Sequence, residues 1–273
     1  MNCRVCNASD PKHYATKNGY EVLKCTHCGF GQVAVTQQDL DRLYEEAYWR
    51  GDTSPNFSQA EAQPIFPSHI YWLGQQLRLF SKATAPLRVL EIGPGLGGMT
   101  AHYLRNHHPE IQYEAIEISE LAAQTLAAQG FTIHTGGVTA AAIVEACRGR
   151  FDLILGTEVI EHDPDPHGFA SSIHAMLKPG GWCAFTTGNI DGLIARWKKQ
   201  DWYYLDPPLH VSYYTPRSFK TLFQQEGFEH LSARRYGFNY ISLKLKTHIP
   251  GILLLSHLTG IATGMSIRAQ RRK

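Results

Sequence analysis

Residues 87–98 constrain the fold of this chain more than any other segment, because a short apolar run is followed at once by a glycine-rich loop. The run predicts a buried strand, the loop predicts a tight turn that can approach a nucleotide, and a helix is expected to follow. Gly93, Gly95 and Gly98 have the spacing of a dinucleotide-binding turn. Gly93 and Gly95 with Gly97 instead give a Gly-x-Gly-x-Gly loop. The glycine spacing alone therefore leaves two classes of nucleotide ligand open.

Two carboxylates near this loop narrow the choice of ligand. Glu91 lies two residues before Gly93, where its charge would repel a pyrophosphate but attract a ligand that carries an ammonium and a sulfonium. S-adenosylmethionine has both of these groups, and its enzymes use the Gly-x-Gly-x-Gly loop. Glu117 closes the next strand-like run, residues 113–117, where a carboxylate binds the ribose hydroxyls of a nucleotide.

The chain beyond residue 87 alternates between strand-like and helix-like segments. The predicted strands are 87–92, 112–117, 131–135, 151–156 and 182–187, and the predicted helices are 98–107, 119–129, 138–147 and 166–177. Alternation of this kind predicts an α/β fold with a doubly wound, mostly parallel Rossmann-like sheet covered on both faces. Apolar residues at helical spacing within 68–82 predict one more helix before the first strand.

Four cysteines are concentrated near the N-terminus, in the pairs Cys3-x-x-Cys6 and Cys25-x-x-Cys28. Two such pairs facing each other supply four thiolates for one tetrahedral zinc ion. Disulfides and redox chemistry are the alternatives. Since a ribbon of about 35 residues cannot bury a large core, we expect Zn2+ to provide most of its folding free energy and to take no part in the chemistry.

The net charge and the N-terminal sequence exclude few classes of function. The 273 residues carry a net charge of +2, with 18% charged residues, which does not indicate a polyanionic partner. The N-terminus lacks the basic and apolar regions of a secretory signal. Together with the clustered thiols, this predicts a reducing, cytoplasmic location.

Several further motifs resemble those of class I S-adenosylmethionine-dependent methyltransferases, over residues 85–235. Residues 89–97 resemble the first motif of that family, and 151–162 resemble its fourth strand and following loop, as seen in the ubiquinone-type and related small-molecule enzymes. Residues 177–181 resemble the turn before the fifth strand. Residues 206–216 are similar to a segment of bacterial members that also carry an N-terminal double Cys-x-x-Cys ribbon. The resemblance implies a seven-stranded sheet whose last strand is antiparallel.

The loop chemistry and this resemblance together define a candidate site for S-adenosylmethionine at the carboxyl ends of the strands. Many family members bind the adenine amino group with an acidic residue after the third strand, but residues 134–138 contain none. Backbone groups near Gly137 and Val138 are the substitutes that we consider. The predicted cofactor-binding residues are Glu91, Gly93, Gly95, Gly97, Glu117, Ile118, Gly137, Val138, Thr157 and Glu158.

Two histidines are candidates for a general base, which assists methyl transfer when the acceptor is a hydroxyl. His162 lies in the loop after the fourth predicted strand, and His210 follows Pro207 and Pro208 in an aromatic segment. We prefer His210, because that segment lies beyond the fifth strand, where such folds place loops that bind the acceptor. The alternative for each is a structural role, in which the imidazole fixes a loop.

The sequence divides into a zinc ribbon (1–35), a linker with N-terminal helices (36–84), a methyltransferase domain (85–248) and an apolar, basic tail (249–273). We expect a polar helix at 38–46, and sixth and seventh strands at 228–236 and 240–246. The tail is too short and too interrupted to span a bilayer. It is expected to cover the catalytic domain, to contact another subunit or to touch a membrane surface.

The sequence therefore predicts an S-adenosylmethionine-dependent methyltransferase that acts on a small molecule or on a glycan or lipid-linked saccharide, with transfer to oxygen, nitrogen or carbon. One alternative is an RNA methyltransferase whose ribbon binds nucleic acid. It is disfavoured because the ribbon lacks dense positive charge. A nucleotide-binding module without turnover is another, disfavoured because Glu91, Gly93, Gly95 and Glu117 are all present.

Overall fold

The computed structural model describes residues 1–35, 67–236 and 264–272, which form two β-sheets with helices packed around the larger one. The strands are β1 (Lys12–Lys17), β2 (Tyr20–Lys24), β3 (Gly31–Val33), β4 (Arg88–Ile92), β5 (Gln112–Glu117), β6 (Thr132–Thr135), β7 (Phe151–Thr157), β8 (Leu177–Gly188), β9 (Ser212–Tyr213), β10 (Phe228–Tyr236) and β11 (Gly264–Arg271). The helices are α1 (Pro67–Leu77), α2 (Met99–His107), α3 (Glu120–Ala128), α4 (Ala141–Cys147), α5 (Pro166–Met176), α6 (Leu193–Lys198) and α7 (Pro216–Gln225).

The larger sheet has seven strands in the order β10-β11-β8-β7-β4-β5-β6. β4, β5, β6, β7 and β8 run parallel to one another, whereas β11 is antiparallel to both β8 and β10. The α/β fold class and the antiparallel last strand are therefore confirmed. The central strands carry buried apolar side chains on both faces, as a sheet covered by helices on each side requires.

The last two strands agree with the sequence analysis only in part. The sixth strand is confirmed as β10, but the seventh is β11 at Gly264–Arg271. Residues 240–246, where we expected that strand, lie outside the described residues, as does the expected helix at 38–46. Met265, Ile267 and Ala269 are buried in the core, and this period of two is the signature of a strand.

β11 comes from the segment 249–273, for which the sequence analysis expected no strand. Residues 264–271 instead lie inside the sheet, where Ile267 pairs with Phe185 of β8 and Ala233 of β10 pairs with Ile267 from the other side. Arg271 donates hydrogen bonds to carbonyl oxygens at the end of α5, including that of His174 at 2.9 Å. The basic residues at the end of the chain are therefore partly structural.

The smaller sheet joins the N-terminal ribbon to the rest of the protein. Its strand order is β1-β2-β3-β9, so a strand from residues 212–213 completes a sheet begun by residues 12–33. Gly31 pairs with Tyr213, and a Cβ on Gly31 would lie 2.7 Å from Ile190, which explains why glycine is required at this close contact. The ribbon is therefore seated directly on the loops that follow β7 and β8.

The remaining helices follow from local signals. α1 and the 3-10 turn Arg78–Phe80 account for the helix predicted at 68–82. In α7, Thr215 caps the N-terminus by accepting a hydrogen bond from the Ser218 amide at 3.0 Å. Within the described residues, no helix is long and apolar enough to cross a bilayer.

Candidate functional site

The loop between β4 and α2 has the backbone shape that its glycines permit. Gly93 and Gly95 have φ values of +66° and +63°, in the left-handed region that side chains other than glycine rarely adopt. A Cβ on Gly93 would lie 3.1 Å from Val159 of the loop after β7. The Gly93 amide donates to the Ile116 carbonyl oxygen at 2.9 Å, which ties the loop to β5.

Glu117, at the carboxyl end of β5, lies beside this loop. Its Oε2 accepts a hydrogen bond from the Gly95 amide at 3.0 Å, and its Oε1 accepts one from the Ser119 amide at 2.9 Å. The side chain is only 2% exposed, and burial raises its pKa. The carboxyl group is thus fixed against the glycine loop at the carboxyl end of β5.

Glu91 is placed differently from the expectation that it faces the ligand. Tyr113 of β5 donates its hydroxyl proton to Glu91 Oε2 at 2.5 Å, and burial raises the pKa of Glu91 to about 7. The carboxyl group therefore lies within the sheet layer, behind the glycine loop, rather than on the wall of the adjoining cavity.

A cavity of about 330 Å³ opens at the carboxyl ends of β4, β5, β6 and β7. Four predicted cofactor residues line it: Gly93, Ile118, Gly137 and Val138. Ile118 is apolar yet 48% exposed, as expected of a side chain that covers a flat ring. Asp163, Pro164 and Asp165, which follow β7, form another part of the wall. The sequence analysis did not identify these three.

The other predicted cofactor residues lie near the cavity but are not part of its wall. Gly97 is in the glycine loop, and Thr157 ends β7. Glu158 has a φ of +53°, and its Oε1 accepts a hydrogen bond from the Thr186 hydroxyl at 3.0 Å. The carboxyl group of Glu158 is therefore directed to the end of β8.

Glu158 belongs to a buried polar cluster at the carboxyl ends of β7 and β8. Glu161, which has no exposed surface, accepts hydrogen bonds from the Thr187 hydroxyl at 2.9 Å and from the Tyr204 hydroxyl. Burial raises the pKa of both carboxyl groups, and Glu161 raises that of Glu158 further. The buried surroundings therefore favour the neutral form of both carboxyl groups.

His162 and His210 lie together next to this cluster, with ring centroids 4.9 Å apart. His162 Nδ1 lies 2.8 Å from the Leu209 carbonyl oxygen, and His210 Nδ1 lies 2.7 Å from that of Tyr204. Because a carbonyl only accepts, His210 Nδ1 carries a proton. The ring of His162 has a second backbone hydrogen-bond partner at Glu158 besides Leu209. Burial lowers the pKa of both rings, to about 3 for His210. His162 lines the cavity, whereas His210 lies behind it.

Sequence reasoning missed Tyr204 and Glu161 as members of the site. Glu161 follows Glu158 by three residues and precedes His162, so the local pattern contained a signal. Tyr204 is 43 residues away from its partner Glu161, and nothing local indicates that contact. Nδ1 or Nε2 atoms of His162 and His210 lie within 4.8 Å of each other and of a Glu161 oxygen.

The four N-terminal cysteines converge as their spacing predicts. Cys3 Sγ lies 3.5 Å from Cys28 Sγ, and Cys6 Sγ lies 3.6 Å from Cys25 Sγ. A disulfide requires about 2.05 Å, so these pairs are not disulfides. Tetrahedral zinc with Zn–S bonds of about 2.3 Å places sulfurs roughly 3.8 Å apart. All four sulfurs lie within 4.8 Å of one another, so the cluster fits a single zinc ion.

Comparison with known proteins agrees with this geometry. A family profile described as a methyltransferase domain matches residues 71–233. The ubiquinone biosynthesis O-methyltransferase of Burkholderia vietnamiensis is 28% identical over 140 residues, which cover 50% of this chain and 56% of that protein. The corresponding enzyme of Ruegeria pomeroyi is 30% identical over 173 residues, which cover 58% and 66%. The chain thus spans between half and two thirds of the length of these curated relatives.

A solved structure is similar in fold. The crystal structure of a SAM dependent methyltransferase from Archaeoglobus fulgidus has a TM-score of 0.53 and 14% sequence identity, and the match covers 74% of this chain and 94% of that one. At this identity the likeness concerns the fold alone. Because the family profile covers more than half of the sequence, this protein belongs to the methyltransferase-domain family, with the fold of the class I S-adenosylmethionine-dependent enzymes.

Proposed function

We propose that this protein transfers a methyl group from S-adenosylmethionine to a hydroxyl oxygen of a small molecule. The observation that carries the proposal is the position of His162, which lies both on the wall of the cavity beside the glycine loop and against a buried acidic cluster. A donor site and a proton acceptor are thus adjacent. The O-methyltransferase activity named for the curated relatives supports the same reaction.

The donor would occupy the cavity between the glycine loop and the loop after β7. Glu117, held by the Gly95 amide, would accept hydrogen bonds from the ribose, and Ile118 with Val138 on the cavity wall would offer apolar surface to the adenine. The backbone at Gly137 and Val138 stands where family members usually place an adenine-binding acid. Asp163 and Asp165 add negative charge to the wall, which favours a ligand with two cationic groups.

Methyl transfer from a sulfonium is an in-line displacement, so the protein mainly aligns the two reactants and excludes water. His162 takes the proton of the acceptor hydroxyl as its oxygen attacks the methyl carbon. The pKa of His162 is lowered by burial, so the ring is neutral at pH 7 and able to accept a proton. His210 packs against it and acts as a positioning residue.

The base strength of His162 indicates the kind of hydroxyl that suits this site. A neutral imidazole of lowered pKa is a weak base, and a phenol-type hydroxyl has a pKa of about 10, close to that of tyrosine. An ordinary alcohol is a far weaker acid and would transfer its proton less readily. We therefore place an acidic, phenol-type hydroxyl first among acceptors, and a saccharide hydroxyl second.

The cysteine cluster completes the proposal. Cys3, Cys6, Cys25 and Cys28 would hold one Zn2+ ion with all four positions filled by protein ligands, which is the arrangement of a structural site. Zinc therefore has no open position for substrate. Its role is to fix the knuckles at Cys3–Cys6 and Cys25–Cys28, whose neighbours Val5 and Phe30 also pack into the apolar core shared with the larger sheet.

Two measurements test the function. Calorimetry with S-adenosylhomocysteine, S-adenosylmethionine and NAD should show binding of the first two in the micromolar range and none of NAD. Methyl transfer from labelled donor should then be assayed with a catechol-type phenol, a nucleotide-linked sugar and a transfer RNA. Activity with the phenol supports the proposal. Donor binding without transfer to any acceptor favours the non-catalytic alternative, and transfer to RNA or sugar alone would overturn the choice of acceptor.

A further inference from the structure

The side chain of Arg4 connects the cysteine knuckle to the wall of the cavity. Arg4 lies between Cys3 and Cys6, two of the four clustered thiols. Its Nη1 donates a hydrogen bond to the Pro164 carbonyl oxygen at 2.8 Å. Pro164 lines the cavity. One residue of the ribbon therefore contacts, through a charged donor, the segment that forms part of the proposed donor site.

Arg4 is itself held firmly on the ribbon side. Its Nη2 donates to the Val33 carbonyl oxygen at 2.7 Å and to that of Val211 at 3.2 Å. Its backbone amide donates to Gln32 Oε1 at 2.9 Å. The guanidinium thus bridges β3, the segment before β9 and the loop after β7. A planar group with several fixed donors is suited to such a bridge, and lysine could satisfy only part of it.

The loop at 163–165 receives a second hydrogen bond from the same sheet. The Ser212 hydroxyl of β9 donates to the Asp163 carbonyl oxygen at 2.7 Å. Asp163 in turn accepts a hydrogen bond from the Asp165 amide at 2.7 Å, and Asp165 caps α5. The carbonyl groups of two successive cavity residues, Asp163 and Pro164, are therefore bonded to β9 of the four-stranded sheet and to Arg4 of the ribbon, respectively.

We infer that the metal-binding ribbon positions the donor cavity, and that Arg4 is the positioning residue that transmits this effect. The inference rests on the proposed function, since it takes the cavity as the donor site. Zinc fixes the Cys3–Cys6 knuckle, the knuckle fixes Arg4, and Arg4 holds Pro164 at the distance that gives the cavity its width. The ribbon is then a part of donor binding although no thiolate touches the donor.

The test compares two variants that loosen the same N-terminal segment. Arg4→Gln removes the guanidinium and its bonds to the Pro164, Val33 and Val211 carbonyl oxygens. Gln32→Ala removes the bonds of Gln32 to the Arg4 amide and to the Asn2 carbonyl oxygen but leaves the three bonds of the guanidinium in place. Affinity for S-adenosylhomocysteine is measured by calorimetry, zinc content by elemental analysis and folding by circular dichroism. Arg4→Lys, which keeps the charge and one donor, is the conservative variant.

We expect Arg4→Gln to bind S-adenosylhomocysteine about fivefold or more weakly, because the cavity wall loses its hydrogen bond from a charged donor, with one zinc retained. Arg4→Lys should recover part of this loss, and Gln32→Ala should bind within about twofold of the parent, since its site is not in contact with the cavity. Equal losses in Arg4→Gln and Gln32→Ala would show a purely structural role and overturn the inference.

Removal of zinc provides a second, independent test of the inference. Chelation of the parent protein should weaken S-adenosylhomocysteine binding, and chelation of Arg4→Gln should weaken it further by a smaller factor, because both changes break the same connection. If the losses of S-adenosylhomocysteine affinity from chelation and from Arg4→Gln multiply fully, the two changes act independently, and this would contradict a connection through Arg4. If the parent protein fails to bind S-adenosylhomocysteine at all, the proposed function fails; if the parent binds and neither change matters, only this inference fails.

Discussion

The imidazole rings of His162 and His210 lie edge to face with centroids 4.9 Å apart, beside the buried carboxyl group of Glu161. Burial lowers the pKa of each ring, and the positive charge that His162 would acquire lowers that of His210 further. The two rings therefore cannot readily be protonated together. A proton taken from an acceptor is accommodated on one ring only, and His162 is the ring on the cavity wall.

His162→Ala should lower turnover about 10²-fold or more while leaving donor binding intact, because a general base typically contributes a factor of this size. His210→Ala should cause a smaller loss, since His210 only supports its neighbour. The measurement is turnover on the true acceptor, with S-adenosylhomocysteine affinity measured in parallel. Turnover of His162→Ala within about threefold of the parent would leave alignment alone as the source of catalysis.

The pH profile of turnover should show a single acidic limb. His162 must be neutral to accept a proton, and its pKa is lowered by burial. Turnover should therefore rise with pH, level off at an apparent pKa below the ordinary histidine value of about 6.5, and stay flat through pH 8. This limb should disappear in His162→Ala. A limb that persists unchanged in that variant would assign it to another group, such as Glu158 or Glu161.

Glu117→Ala should weaken donor binding by roughly 1 to 3 kcal/mol, the scale for removing a partner from buried hydrogen-bonding groups. Glu117 also fixes the Gly95 amide, so both the ribose contact and the loop are affected. Glu145 is an exposed glutamate of α4 that pairs with Arg148. Glu145→Ala is therefore the matched control and should bind the donor as the parent does. Equal affinity in calorimetry would remove Glu117 from the site.

Protein purified without oxygen should contain one zinc ion per chain, and Cys25→Ser should lower that content. Chelators should unfold the ribbon while the seven-stranded sheet persists, because the sheet has its own apolar core. Elemental analysis and far-ultraviolet circular dichroism report the two effects separately. A metal-free protein with an intact ribbon would contradict the zinc assignment.

Glu91→Gln should make the stability of the protein without donor less dependent on pH. Burial raises the pKa of Glu91 to about 7, above the value of about 4.3 in an unfolded chain. The folded state therefore binds the proton more tightly, and stability is lost as pH rises from about 4 to about 7. Thermal unfolding at pH 5 and pH 8 should show a smaller difference for Glu91→Gln than for the parent.

The parts of the site that were predictable are those in which sequence neighbours are also spatial neighbours. The glycine-rich sequence between β4 and α2 predicts a tight turn, and Gly93 and Gly95 have the positive φ values of such a turn. The position of Glu117 at a strand end follows from the alternation of strands and helices. In a parallel sheet these ends meet at one edge, so Ile118 and Val138 also come to the cavity.

The parts of the fold and site that the sequence did not predict depend mainly on contacts between residues far apart in the chain. Tyr204 reaches Glu161 across 43 residues, and Arg4 reaches Pro164 across 160. β11 was missed because its short alternation of apolar and basic residues resembles a basic tail until its partners in β8 are known. The placement of Glu91 also differs from the expectation that it faces the ligand. Its spacing to Gly93 does not reveal that its carboxyl group is hydrogen-bonded to the Tyr113 hydroxyl within the sheet layer.

The position of β11 has a consequence for how the protein is made. β10 pairs with β11 alone among the described strands, and β11 ends at Arg271. During synthesis, residues 228–236 and the edge of β8 therefore emerge from the ribosome before their partner β11, which is complete only when residue 271 is released. The exposed edges are sites of mispairing with other chains. Final assembly of the sheet thus waits for β11, and a nascent chain stalled before residue 264 cannot complete it.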